Sequence, residues 1–224
     1  MNDLHPVARC EDVSKCFRTH TEIVEALVGC NTILLPGRIT VATGPSGSGK
    51  STLLRIIAAL DYPSSGYVWL LDRNVAGLSP RKRQKLRREA VSYIFQRPAD
   101  NFVPFLTVAE HLRMCGVFER AAQLQLLDRF DLVARIDEVP SALSGGEQQR
   151  AALAQAVATR RPIVVADEPT AELDQASAAR VLDALKLLAD TGSAVLIASH
   201  DENVLAIADS VTRLRDGREV SVHE

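Results

Sequence analysis

Apolar positions recur with two different periods along this chain, and the switches between them mark out its elements. Runs over 7–13, 23–28 and 32–35 are rich in β-formers and read as strands, with a turn at Pro36-Gly37. Ile39-Thr40-Val41-Ala42 is a short apolar strand that ends in a glycine-rich loop, and a helical pattern follows from Lys50 to Leu60. A turn at 63–66 precedes a strand over 67–71. Ser79 is placed to cap, and Pro80 to begin, a helix that reaches Arg88, with a strand over 91–95 behind it.

Nothing between Gln96 and Ala142 alternates as a strand does; 107–115 and 121–130 have helical spacing instead. Alternation of element types then returns: helix over 147–159, strand over 163–166, helix over 175–188, strand over 194–198, helix over 203–208 and two short strands. Strands alternating with helices predict an α/β fold with a mainly parallel sheet covered on both faces.

Composition narrows the class further. At 224 residues, with 46% apolar and 24% charged positions, the chain can bury one large α/β core, and extensive disorder is excluded. A net charge of −2 argues against nucleic acid as a partner. Cys10, Cys16, Cys30 and Cys115 lack any metal-ligand spacing and read as reduced thiols. The first residues lack the pattern of a signal peptide, and no apolar run approaches the ~20 residues of a membrane helix. If the protein serves a membrane, another chain is expected to cross it.

Gly44-Pro45-Ser46-Gly47-Ser48-Gly49-Lys50-Ser51 fits the phosphate-loop pattern in full, and Thr52 continues it into the helix. Its glycines let backbone N–H groups turn inward toward phosphates, and the helix adds its positive end. Lys50 suits the β- and γ-phosphates and Ser51 suits Mg²⁺. The apolar strand ending in Asp167-Glu168 supplies the complementary centre. Asp167 suits the Mg²⁺ shell, and Glu168 suits general-base activation of a water. A second anion cradle lies just before that strand: Ser144 can cap a helix beginning near Glu147, and Gly145-Gly146 permits close approach of a phosphate. One acidic centre needs only one cradle, so the second is expected to serve the nucleotide of a partner copy.

Leu143-Ser144-Gly145-Gly146-Glu147-Gln148-Gln149-Arg150 closely resembles the signature of the ABC ATPase family, and the resemblance spans nearly the whole chain. It implies a P-loop NTPase core (1–95 and 143–224) that includes an N-terminal antiparallel β subdomain, with a helical subdomain inserted at 96–142. It implies that Phe17 stacks on adenine and that Gln96 senses Mg²⁺ and water. Ala171-Glu172-Leu173-Asp174 matches the loop that crosses a dimer interface, and His200 matches the switch histidine at the γ-phosphate. By this resemblance Gly44 to Thr52 hold ATP from one subunit, with Ser144, Gly145, Gly146, Glu147 and Asp174 contributing across the interface. Phenylalanine at 17 and Ala171-Glu172 depart from the commoner tyrosine and Ser-Ala.

The stretches 60–66, 78–88, 95–96 and 104–110 look like one branch of that family, which holds the ATPases of macrolide exporters, lipoprotein-releasing complexes, peptide and haem efflux pumps, and cell division. The implied protein is an ATP-hydrolysing motor at the cytoplasmic face of the inner membrane. It would pair head-to-tail with a second copy around two Mg-ATP and act on a separate permease. A regulatory ATPase that signals across the membrane without transport is the alternative. The basic run from Arg81 to Arg88 is expected to be a solvated helix face, with anionic lipid headgroups as its other possible neighbour. Phe102, Val103, Phe105 and Leu106 belong either to local core or to a groove that receives a permease helix.

Overall fold

The computed structural model describes residues 5–18 and 22–220. Strands β1 (Ala8–Arg18) and β2 (Ile23–Leu34) pair antiparallel, and β3 (Ile39–Thr43) leads into helix α1 (Lys50–Ile57). β4 (Ser65–Leu70) returns beside β1, and β5 (Arg73–Asn74) folds back on it, completing a four-stranded sheet in the order β2-β1-β4-β5. Helix α2 (Pro80–Ala90) runs without a break into β6 (Val91–Ile94). Then come α3 (Val108–Met114), α4 (Arg120–Asp128), α5 (Gly145–Thr159), β7 (Ile163–Asp167), α6 (Gln175–Asp190), β8 (Ala194–Ala198), α7 (Glu202–Leu205), β9 (Ser210–Arg215) and β10 (Arg218–Glu219). The second sheet has the order β10-β9-β3-β8-β7-β6, parallel throughout except for β10.

Successive residues of its central strands feed two different cores. Val41, Val164, Ala166, Val195 and Ile197 face α5, α6 and the helical segment, whereas Ala42, Ile163, Val165, Leu196 and Ala198 face α1 and the antiparallel sheet. That division explains why β7 and β8 are apolar at nearly every position: both faces of the sheet are covered. Parallel order also brings the carboxyl ends of β3, β6, β7 and β8 to one edge of the fold, where ligands of open α/β sheets bind.

Several boundaries differ from expectation. Two long strands replace the three predicted before Pro36. β1 runs on to Arg18, and β2 passes through 29–31 without stopping, because Gly29 adopts φ +63° and register shifts near Val13 bend the pair instead of ending it. α1 stops at Ile57, short of Leu60, where the N–H groups of Leu60 and Asp61 both turn back to the Arg55 carbonyl. α5 begins two residues before Glu147, so Gly145 and Gly146 form its first turn. α7 is a single turn rather than the longer helix expected. β5 had no counterpart in the sequence reading.

No strand occurs between Gln96 and Ala142, as expected. A reciprocal Thr107–Glu110 capping box starts α3. The buried ring of His111 then accepts from the Val103 N–H at Nε2 (2.9 Å) and bonds the Thr107 carbonyl through Nδ1 (2.8 Å), which fixes the loop before α3. Phe102 packs edge-on against that ring, while Phe105 is 77% exposed, so the four apolar residues of this loop divide between core and surface. On α2, Leu86 and Ala90 are buried, Arg83 stacks over Tyr62 at 3.4 Å, and Arg87 donates to the Ala59 carbonyl; Arg81, Lys82, Lys85 and Arg88 face outward. All four cysteines are free thiols, and burial pushes that of Cys30 up to about 11. Among the described residues no helix is long and apolar enough to cross a membrane.

Candidate nucleotide-hydrolysis site

The phosphate loop is shaped by contacts that exclude side chains. A Cβ on Gly44 would strike the Leu214 carbonyl of β9, and one on Gly49 would strike the Ala26 carbonyl of β2. Both glycines have positive φ (+148° and +103°), so only glycine fits there without strain. The loop is braced from behind, because the Gly217 N–H donates to the Ser48 carbonyl and the Gly217 carbonyl accepts from Val28 N–H. Lys50 is buried at the start of α1, and its ammonium donates to the Gly44 and Pro45 carbonyls at 2.9 and 3.1 Å. No acidic residue stands in the first turn of α1, so its positive end is left for an anion.

A cleft of about 650 Å³ opens over this loop. Gly44, Pro45, Ser46, Gly47, Gly49, Lys50, Ser51 and Thr52 line it, together with Gln96, Glu168 and His200. Ser48 sits beneath the floor, 2% exposed, and its hydroxyl has no partner. Val24, Glu25, Ala26, Thr43 and Ala171 also line the cleft and were not anticipated. No motif points to β2; only its pairing across the fold places it there.

Asp167 ends β7 just below the cleft. Its Oδ1 accepts from the Ser51 hydroxyl at 3.1 Å and its Oδ2 from the Tyr93 hydroxyl at 3.3 Å. Burial holds this carboxyl above the ordinary carboxylate range; the two hydroxyls pull partly against that, and the neighbouring Glu168 adds to it. Nothing in a strand pattern marks Tyr93 as the residue that reaches the acid at the end of the neighbouring strand. Glu168 follows in a left-handed conformation, φ +45°, its N–H held by the Ala198 carbonyl at 2.9 Å. That geometry is costly for a residue that carries a Cβ and turns its carboxylate into the cleft, where Oε1 meets His200 Nδ1. Asp201 links the two turns behind them, accepting from the Thr170 hydroxyl and capping α7.

The site suits a magnesium nucleotide. The loop offers glycine backbone that a phosphate can approach closely, the positive end of α1 and the Lys50 ammonium. Asp167 and Ser51, already in contact, offer oxygen donors of the kind hard divalent cations take. Among the described residues no group of three or more His, Cys, Asp or Glu is gathered to hold a metal.

Three groups of expected residues lie elsewhere. Phe17 is outside the cleft lining: it pairs with Val24 near the end of β1 that leads into β2, 41% exposed, with the Lys15 ammonium 4.9 Å from its ring. Asp174 caps α6, accepting from Ser177 N–H at 3.0 Å. Ser144, Gly145, Gly146 and Glu147 form a finished second cradle away from the cleft. There the Ser144 hydroxyl accepts from Glu147 N–H, and the Glu147 carboxylate accepts from Ser144 N–H (2.8 Å) and pairs with Arg135 (2.8 Å). Those contacts, the Ser144 N–H first, pull the Glu147 carboxyl below its ordinary range. Glu147 is thus committed within its own chain.

A glycine loop wrapped on a helix start, a strand-end aspartate bonded to the loop serine and an adjacent glutamate define a P-loop nucleotide hydrolase. Residues 27–171 match the family described as ABC transporter, and the chain belongs to that family. It is 37% identical over 218 residues to the lipoprotein-releasing system ATP-binding protein LolD of Gluconobacter oxydans, covering 94% of each chain. It is 36% identical to the macrolide export ATP-binding/permease protein MacB of Shigella flexneri, covering 95% of this chain and 34% of that one. The fold superposes on the dimeric, post-hydrolysis ATP-binding cassette MJ0796 of Methanocaldococcus jannaschii, bound to ADP and Pi, with a TM-score of 0.85 and 31% identity over 97% and 99% of the two chains. The protein is an ATPase of that family.

Proposed function

We propose that the chain is the motor of a membrane transporter, closing with a second copy around two ATP molecules and acting on a permease in the membrane from its cytoplasmic face. The observation that carries this reading is the second cradle, built and capped, yet outside the cleft of its own chain. A two-fold, head-to-tail arrangement gives it a use, because each cradle then covers the cleft of the other copy. The dimeric MJ0796 structure and the ATP-binding subunit LolD support the same reading.

Within each cleft Lys50 and the backbone of the loop hold the phosphates, and Ser51, Asp167 and Gln96 hold the cation. Mg²⁺, when bound, offsets the charge of the transferred phosphoryl group. Glu168 takes a proton from the attacking water, whose oxygen bonds to the γ-phosphorus as the bond to the β-phosphate oxygen breaks. His200 and Gln96 orient groups at the γ-phosphate. In the partner copy Ser144, Gly145 and Gly146 complete the site with backbone donors. Exposed Phe105, beside the loop pinned by His111, is the natural contact for the permease.

Light scattering of Glu168→Gln with and without ATP tests this. A nucleotide-dependent dimer that Ser144→Arg abolishes is the expected result; a species that stays monomeric with ATP bound overturns it.

A further inference from the structure

Tyr93 has no part in the scheme above, yet its hydroxyl lies 3.3 Å from Asp167 Oδ2 and donates to it. The residue sits on β6, whose register with β7 sets Tyr93 opposite Val165 and Ile94 opposite Ala166. The ring packs against the core beneath the antiparallel sheet and leans on Phe95, with centroids 4.7 Å apart. Asp167 is itself 8% exposed, and its two oxygens have different partners: Ser51 on Oδ1 and Tyr93 on Oδ2.

These two partners differ in what a cation does to them. Ser51 stands in the cleft, where its oxygen is wanted by the metal. The Tyr93 hydroxyl belongs to a half-buried ring on β6, and Asp167 Oδ2 is the hydrogen-bond partner it has among the described residues. That bond holds the carboxylate from the side away from Ser51, fixing its rotamer and leaving Oδ1 for the cation or its water. We infer that Tyr93 is a positioning residue for the divalent cation that accompanies the nucleotide, acting through the carboxylate of Asp167. This rests on the reading that Asp167 serves that cation. Groups that hydrogen-bond a metal-ligating side chain from behind change metal affinity by roughly 10–100-fold when removed.

Tyr93→Phe removes one oxygen and leaves the packing surface intact. Mn²⁺ binding to the full-length chain, followed by electron paramagnetic resonance in the presence of ADP, reads the effect without turnover. Affinity for Mn²⁺ is expected to fall roughly tenfold or more, whereas ADP affinity in EDTA is unchanged. The Mg²⁺ concentration for half-maximal ATPase activity is expected to rise by a similar factor, with kcat recovered at saturating Mg²⁺. Wild-type Mn²⁺ affinity in Tyr93→Phe, or an equal loss of ADP affinity in EDTA, overturns the inference. Asp167→Asn separates the two levels: if it too binds Mn²⁺ normally, the role given to Asp167 is what fails.

Discussion

Glu168 and His200 meet at the mouth of the cleft, Oε1 to Nδ1 at 3.3 Å, with the carboxylate side chain 14% exposed and the imidazole 77% exposed. One partner is thus held by the fold and the other is nearly free in solvent. Such a pair contributes little to stability, since water screens it. Its value lies in placing a base and a hydrogen-bonding ring on the same side of the phosphate loop.

Replacing Glu168 by Gln keeps the shape and removes the base. Steady-state phosphate release is expected to fall by about 10²–10⁴-fold, with ATP affinity within a few-fold of wild type. His200→Ala is expected to lower turnover as well without loosening the fold, because so little of the ring is buried. Unaltered turnover in Glu168→Gln removes Glu168 from its assigned role.

Ser144→Ala is expected to do two separable things. Loss of the cap lowers stability by about 1 kcal/mol in thermal or denaturant unfolding. Loss of the shaped cradle lowers ATPase activity at high protein concentration while ATP affinity of the single chain holds. A drop in that single-chain affinity argues against a role for Ser144 in the partner's site.

Asp167 gives a test in pH. Its folded carboxyl is raised above the unfolded value, so the native state binds more protons between the two, and stability falls as pH rises through that window. Above that window the buried carboxylate charge costs the native state stability when no cation relieves it. In EDTA at pH 7.5, Asp167→Asn is expected to melt at higher temperature than wild type, and the gap should close below the ordinary aspartate range. With Mg²⁺ and ATP the order should reverse. A lower melting temperature for the variant in EDTA contradicts the burial argument.

Helix α2 offers a gain in stability. Its first turn holds Arg81 and Lys82 against the positive end of the helix, with no acid there, and Ser79 accepts from Lys82 N–H at a long 3.5 Å. Lys82→Glu completes a capping box and reverses the unfavourable charge, worth about 0.5–1 kcal/mol. Urea unfolding reads the shift, and no gain means the first turn is already satisfied by solvent.

What could be read from the sequence is what short-range chemistry dictates. Ser79 and Ser144 each announce a helix start because a cap is one side chain accepting from one nearby N–H, whereas the Gly49–Lys50 junction, which has no side-chain cap, is legible through its loop motif. The apolar runs of β7 and β8 announce a sheet covered on both sides for the same reason. What escaped depends on pairing across the chain. A strand passing through Gly29 looks broken until its partner bends with it, and β5 exists only as the return arm of β4. Val24 to Ala26 reach the cleft, and Tyr93 reaches Asp167, through sheet order alone. Phe17 shows the converse: the motif position was legible, yet the fold sets the ring beside Val24 and under Lys15 rather than in the cleft lining.

The Ser144–Glu147–Arg135 linkage also bears on how fast two copies can join. A cradle whose hydrogen bonds already form in the separate chain has less left to order on contact, so part of that cost is met during folding. Association then waits on nucleotide arrival and on orientation of two preformed surfaces, and the dwell time of the closed pair is set by how soon the phosphate between them is cut.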